Sequence, residues 1–213
     1  MDHDAGGAAG TRQRPRLIDF YFDFSSPYGY LSSERIERIA ARHGCVLRWH
    51  PILLGVVFKR TGGAPLPSQP LKGDYALHDF ARTARLHGIE YRMPTRFPVS
   101  GVPPSRAFLW VANRDADAAV ALAKALYRAY FIDDVDIGSV EGTVQVARSV
   151  GVECEPLERG MESAEVKAQL KAEVDAAMVA GVFGSPFFLV DGEPFWGDDR
   201  VEQVDRWLAT GGW

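Results

Sequence analysis

The chain has 213 residues, a formal charge of −4 from 24 Lys+Arg and 28 Asp+Glu, and a hydrophobic fraction of 46%. This length predicts one large domain, or one domain with an insertion, and excludes a mini-protein without a core of its own. The slightly acidic balance argues against a nucleic-acid partner, and no apolar run approaches the roughly 20 residues that cross a bilayer, so we predict a soluble globular protein.

The first predicted elements form a βαβ unit. Residues 1–16 contain no apolar stretch typical of a secretion signal and are predicted to be a disordered tail. Apolar residues then alternate over positions 17–24 and predict a β-strand. Ser26 and Pro27 are typical of a helix N-cap and first helical position, and Gly44 of a helix end. A second strand is predicted over residues 46–53, as in a parallel pair.

The β pattern then stops for more than a hundred residues. Gly and Pro are dense between positions 61 and 70. Helical spacing of apolar residues predicts helices over 74–87, 105–113, 116–131, 139–151 and 163–178. Ser139 and Ser163 are the expected N-caps of the last two.

Strands return near the C-terminus. Residues 187–190 and 193–196 flank Asp191-Gly192, a two-residue turn that tolerates positive φ. Pro194 marks the second of these strands as a sheet edge. A final helix is predicted from about Asp198-Asp199, because carboxylates suit a helix N-terminus. The element order is therefore βαβ, a helical insertion and ββα, which is the thioredoxin plan with an inserted subdomain.

Four segments in this order carry a family resemblance: FDFSSPYGYL at 22–31, KGDY at 72–75, GVFGSP at 181–186 and FWGDDR at 195–200. They resemble the 2-hydroxychromene-2-carboxylate isomerases, which are related to kappa-class glutathione transferases and to DsbA-type oxidoreductases. The resemblance implies an α/β, thioredoxin-like fold with an inserted all-helical subdomain. Residues 17–58 and 181–213 would form the thioredoxin-like domain, and residues 59–180 the insertion.

The cysteines of this chain stand in unexpected places for such a fold. Thioredoxin-type oxidoreductases carry two cysteines at the positions that hold Ser26 and Gly29 here, whereas Cys45 and Cys154 lie elsewhere and are predicted to be reduced thiols of a cytoplasmic protein. Disulfide exchange needs a thiolate, so oxidoreductase activity is not expected. The resemblance implies that glutathione provides the sulfur. The histidines show no metal-ligand spacing, and no metal is predicted.

Ser26 is the candidate catalytic residue. Lowering the pKa of a thiol from about 8.5 by about two units requires roughly 2.7 kcal/mol. A hydroxyl hydrogen bond to a charged sulfur supplies about 1.5–3 kcal/mol, and a helix N-terminus adds about 0.3–1 kcal/mol. The alternative is that Ser26 only caps the helix. Ser25 is the less favoured hydroxyl because it lies further from the helix start.

The resemblance also implies a glutathione site. Ser185 and Pro186 would form a cis-proline element whose backbone pairs with the cysteinyl part of the ligand. At Gly197, Asp198 and Asp199, free N–H groups would hold the γ-glutamyl carboxylate, and Asp199 would hold the ammonium. Adjacent acids at 198 and 199 depart from the Ser or Asn that is common at the first of these positions.

Two lysines complete the implied ligand contacts. Lys59 and Lys72 match basic residues that face the glycyl carboxylate or the substrate, with solvated surface lysines as the alternative. Residues 62–64 read Gly-Gly-Ala where many relatives carry Gly-Asn, so one side-chain contact to glutathione is expected to be missing.

The implied reaction is isomerisation of 2-hydroxychromene-2-carboxylate to trans-o-hydroxybenzylidenepyruvate, in the catabolism of naphthalene and related aromatic compounds. A small aromatic substrate suits apolar walls and one cation, and we expect Arg106 there with three aromatic residues: Tyr28, Trp110 and Trp196. One alternative is a kappa-like transferase that conjugates glutathione to electrophiles. The other is a non-catalytic thioredoxin-fold binding or chaperone module. Relatives are often dimers, which makes a homodimer the expected assembly.

Overall fold

The structure is a computed structural model that describes residues 16–213. Residues 1–15, which hold almost all of the predicted tail, lie outside the described part. Arg16, assigned to that tail, instead bridges to the body of the protein. Its guanidinium donates to the Asp191 carboxylate at 2.8 Å and to the Leu208 carbonyl at 2.9 Å.

The elements follow the predicted order. The strands are β1 (Leu17–Phe22), β2 (Val46–Pro51), β3 (Phe187–Val190) and β4 (Glu193–Trp196). The helices are α1 (Pro27–Arg42), α2 (Leu54–Thr61), α3 (Lys72–His87), α4 (Val102–Ala112), α5 (Ala116–Phe131), α6 (Val140–Ser149), α7 (Cys154–Glu162), α8 (Ala164–Val179) and α9 (Val201–Thr210). None of these helices is long and apolar enough to span a bilayer.

The strands form one mixed sheet in the order β2-β1-β3-β4. β1 pairs in parallel with β2 and antiparallel with β3, which pairs antiparallel with β4. The turn between β3 and β4 has positive φ at both Asp191 and Gly192, as predicted. This topology confirms the thioredoxin-like α/β fold with a helical insertion.

The sequence did not predict two of the helices, α2 and α7. α2 has no side-chain cap of its own; the N–H of Leu54 donates instead to Asp23, 31 positions earlier, at 2.7 Å. α7 contains Pro156 and Gly160, which normally argue against a helix. In α4, Pro103 and Pro104 lie in the first turn, where missing N–H groups cost little, and the helix begins before the predicted Ser105.

One aromatic cluster joins the sheet to the inserted helices. The ring of Phe22 on β1 lies 5.5 Å from Phe108 on α4 and 6.1 Å from Tyr127 on α5. Phe24, just after β1, lies 5.3 Å from Tyr127. These side chains are buried and belong to one continuous core. The central strand of the sheet is therefore packed directly against the insertion, and this packing fixes the loop between β1 and α1.

Candidate active site

Ser26 occupies the N-cap of α1 and is 5% exposed. Its hydroxyl oxygen accepts the N–H of Gly29 at 3.0 Å and donates its proton to the Ser185 carbonyl at 3.0 Å. The N–H of Tyr28, in the first turn, has no acceptor among the described residues. The Ser26 hydroxyl and the free N–H of Tyr28 thus both lie at the positive end of a 16-residue helix, and this helix end suits an anion.

Ser185 and Pro186 face Ser26 across the site. The bond between them is cis, as predicted. The Ser185 hydroxyl accepts the N–H of Asp23 at 3.0 Å, which ties the proline loop to the end of β1. No described group accepts the N–H of Ser185. The backbone of Ser185 therefore offers one free donor, and one acceptor held only by the Ser26 hydroxyl.

At Gly29 helix α1 lies close to this loop. A methyl group on Gly29 would lie 2.9 Å from the Ser185 hydroxyl and 2.9 Å from the Tyr127 hydroxyl. Position 29 is where a thioredoxin-type enzyme would carry its second cysteine, and here the space for any side chain is filled. A cysteine at this position would therefore clash with the Ser185 and Tyr127 side chains.

The adjacent acids Asp198 and Asp199 differ in environment. The Asp198 side chain is 4% exposed and accepts from Ser32 at 2.6 Å and from Arg35 at 3.0 Å. Burial raises the pKa of Asp198, while Arg35 and Ser32 oppose that effect. The Asp198 side chain is therefore an internal partner of α1, so at position 198 only the backbone N–H is left for the predicted contact with a ligand carboxylate.

Asp199 points outward. Its side chain is 73% exposed and pairs with Arg200 at 2.7 Å. Gly197, just before the acids, has φ 110 and ψ 155, a conformation open essentially to glycine alone. A side chain at Gly197 would also lie 2.6 Å from the Asp199 carboxylate. This turn leaves Asp199 as the acid available to a ligand.

Lys59 and Lys72 are exposed cations near the ends of α2 and α3. Neither forms an ion pair with a described residue, so both remain available to a ligand carboxylate. Gly62 ends α2 with φ 76, a left-handed conformation that favours glycine, so the glycine that this chain shares with its relatives there has a backbone role.

The predicted aromatic pocket is not assembled. Trp110 is stacked by Arg114 at 3.7 Å and lies against Gly160, in a groove of about 620 Å³ between α4, α7 and α8. Arg106 donates to Glu162 at 2.9 Å beside the same groove. Tyr28 packs on Phe80 and Trp196 on Phe183, as separate pairs. Arg106 and Trp110 share one helix face, and that face turns toward α7.

Sequence reasoning missed Asp23, Tyr127 and Arg35. The Tyr127 hydroxyl donates to the Asp23 carbonyl at 3.0 Å, and Arg35 holds Asp198. Each contact joins residues more than a hundred positions apart, so no local spacing reveals it. Both cysteines are free and partly buried.

The geometry can be compared with known proteins. A family model for the DSBA-like thioredoxin domain matches residues 17–209. The chain belongs to this family. A 2-hydroxychromene-2-carboxylate isomerase of Sphingobium xenophagum is 29% identical over 198 residues, covering 91% of this chain and 98% of the relative. Glutathione S-transferase kappa 2 of Caenorhabditis elegans is 28% identical over 207 residues, covering 91% and 92%.

A solved structure extends the comparison within the DSBA-like family. The structure of a 2-hydroxychromene-2-carboxylate isomerase gives a TM-score of 0.79 at 26% identity, covering 91% of this chain and 94% of that one. The family resemblance inferred from the four segments is confirmed. These relatives are enzymes, and the activities in their names are those of the relatives.

Proposed function

We propose that this protein is a glutathione-dependent isomerase of the 2-hydroxychromene-2-carboxylate type. The observation that supports this proposal most directly is the position of the Ser26 hydroxyl, at the N-terminus of α1 and next to Ser185, whose N–H is free. Bound glutathione supplies the sulfur nucleophile. The similarity to isomerases at 29% and 27% identity supports the reaction type.

The residues present fit a glutathione backbone. An extended peptide beside Ser185 would accept a hydrogen bond from the free Ser185 N–H. Its own N–H would donate to the Ser185 carbonyl, as when a strand is added to a sheet edge. The ligand N–H then replaces the Ser26 hydroxyl at that carbonyl. The Ser26 proton is released to point at the sulfur, so ligand pairing and thiolate stabilisation occur together.

The ends of the ligand meet opposite charges. Asp199 is the proposed partner of the ammonium. The N–H groups of Asp198 and Asp199 have no acceptor among the described residues and are the proposed donors to the γ-glutamyl carboxylate, whereas those of Gly197 and Arg200 already bond to backbone carbonyls. Lys72 and Lys59 are the proposed partners of the glycyl and substrate carboxylates. Arg106 already forms an ion pair with Glu162 and would have to break it to bind a substrate carboxylate. We therefore rank Arg106 below the two lysines as a partner for that carboxylate.

The test separates catalysis from helix capping. Ser26→Ala removes a cap that accepts Gly29 N–H at 3.0 Å, and Ser139→Ala removes a matched cap that accepts Gly142 N–H at 3.0 Å. Each variant is expected to lose about 1 kcal/mol of unfolding free energy. Only Ser26→Ala should lose isomerase turnover with glutathione, by roughly 10–100-fold for a hydrogen bond of about 1.5–3 kcal/mol. Equal turnover of the two variants, or wild-type turnover without glutathione, contradicts the proposal.

A kappa-like transferase is the second candidate, because the kappa 2 relative is 28% identical over a similar span. Both reactions use the same thiolate. Rates of chromene isomerisation and of 1-chloro-2,4-dinitrobenzene conjugation, measured at equal enzyme and glutathione concentrations, decide between them. Conjugation without isomerisation would favour the transferase.

A further inference from the structure

Asp23 carries a buried carboxylate that forms no ion pair with any described residue. Its side chain is 3% exposed. One oxygen accepts the Ser25 N–H at 2.7 Å and the Ser25 hydroxyl at 2.6 Å, and the other accepts the Leu54 N–H at 2.7 Å. No Lys, Arg or His contacts it within residues 16–213. Burial of a carboxylate with neutral donors alone is costly, and fixing the start of α2 occupies only one of its two oxygens.

The position of Asp23 links it to the candidate site. Its N–H donates to the Ser185 hydroxyl at 3.0 Å, and its carbonyl accepts the Ser26 N–H at 2.9 Å. Gly101, at the start of α4, lies against the carboxylate, where a methyl group would be 3.6 Å from both oxygens. Ser25 is partly exposed and directly precedes Ser26 in the loop between β1 and α1, and its hydroxyl donates to the buried carboxylate at 2.6 Å.

We propose that Asp23 receives the proton of the glutathione thiol through the hydroxyl of Ser25. This inference rests on the proposed function. The S–H bond breaks and its electron pair stays on sulfur, while the proton passes to the Ser25 oxygen. The original Ser25 proton passes to the Asp23 oxygen at 2.6 Å. Thiol and carboxylate become thiolate and carboxylic acid, and no proton is lost to solvent.

The direction of the Asp23 pKa supports this transfer. Burial raises the pKa of Asp23, while hydrogen bonds from Ser25 and Leu54 oppose that effect. A raised pKa makes the carboxyl group a better proton acceptor. The Tyr127 and Tyr130 hydroxyls on α5 lie close enough for its charge to act on them; burial first, and this charge second, raises the pKa of Tyr127, and burial also raises that of Tyr130, so both stay neutral.

The two serines then have different tasks. Ser26 donates to the Ser185 carbonyl and has no carboxylate partner, so it stabilises charge. Ser25 donates to a carboxylate, so it carries a proton. Asp23 acts through Ser25 and contacts no ligand.

The experiment counts protons released when glutathione binds. Calorimetry in buffers of different ionisation enthalpy gives the protons released, and the ultraviolet absorbance of the bound thiolate gives the amount ionised. The wild type should form thiolate with no net proton release. Ser25→Ala and Asp23→Asn should release one proton for each thiolate formed. Ser33→Ala should match the wild type, because Ser33 is a buried serine of α1 whose hydroxyl donates to the Tyr30 carbonyl within its own helix.

Each outcome decides the matter. Release of one proton per thiolate by the wild type overturns the relay and leaves the proposed function intact. Absence of release in Ser25→Ala overturns the role of Ser25. If Asp23→Asn fails to fold, the wild type and Ser25→Ala suffice. Failure of the wild type to bind glutathione overturns the proposed function, and the relay with it.

Discussion

Replacing Gly29 by alanine tests the packing of the candidate site. In an open helix this change would stabilise the protein by about 1 kcal/mol. At Gly29 the new methyl group would lie 2.9 Å from the hydroxyls of Ser185 and Tyr127. Overpacking by one methyl group costs about 1–3 kcal/mol, and displacing either hydroxyl loses a hydrogen bond of about 1 kcal/mol. We expect a net loss of about 2 kcal/mol.

Gly55→Ala is the matched control for this change. Gly55 also lies in a helix, and nothing stands within 4 Å of the methyl group it would gain. Urea unfolding of both variants should therefore give opposite signs, with Gly55→Ala more stable by about 0.5–1 kcal/mol. If Gly29→Ala stabilises the protein as much as Gly55→Ala does, the close approach of α1 to Ser185 is refuted.

Two further predictions concern charged groups. Arg35→Met leaves Asp198 buried without its cation and should cost about 3–5 kcal/mol, whereas Arg159→Met breaks an exposed pair with Glu155 and should cost less than about 1 kcal/mol; equal costs in urea unfolding would contradict the buried pairing. Burial lowers the pKa of His50, but hydrogen bonds to Glu173 and Asp19 outweigh that effect and leave its pKa raised. The charged ring therefore stabilises the fold below its ordinary pKa of about 6.5, and this stability is lost as pH rises through the raised value. His50→Gln should flatten that slope in unfolding measured at several pH values, and an unchanged slope would show that other groups cause it.

The sequence was most informative where local patterns decide the structure. The alternating strand before Ser26, the Ser26-Pro27 cap and the Asp191-Gly192 turn depend on neighbouring residues, and all three were predicted at the right places. The fold class followed from the order of such elements.

The failures share a cause, which is contact at long range. The start of α2 is fixed by Asp23, and the Asp198 side chain is turned inward by Arg35, 163 positions away. The aromatic pocket failed because the orientation of α4 depends on how α7 and α8 pack against it. Adjacent acids look alike in a sequence, and only the fold shows that one is buried while the other is exposed.

The contacts of Phe22 with Phe108 and Tyr127 make the inserted helices part of the same core as the sheet. The inserted helices cannot be removed as a separate module, because α4 and α5 cover one face of β1. Without them, β1 would expose large aromatic rings to water. The sheet and the inserted helices are therefore expected to melt in a single cooperative transition. We therefore expect substitutions at Phe108 or Tyr127 to shift the end of β1, and with it the position of Ser26.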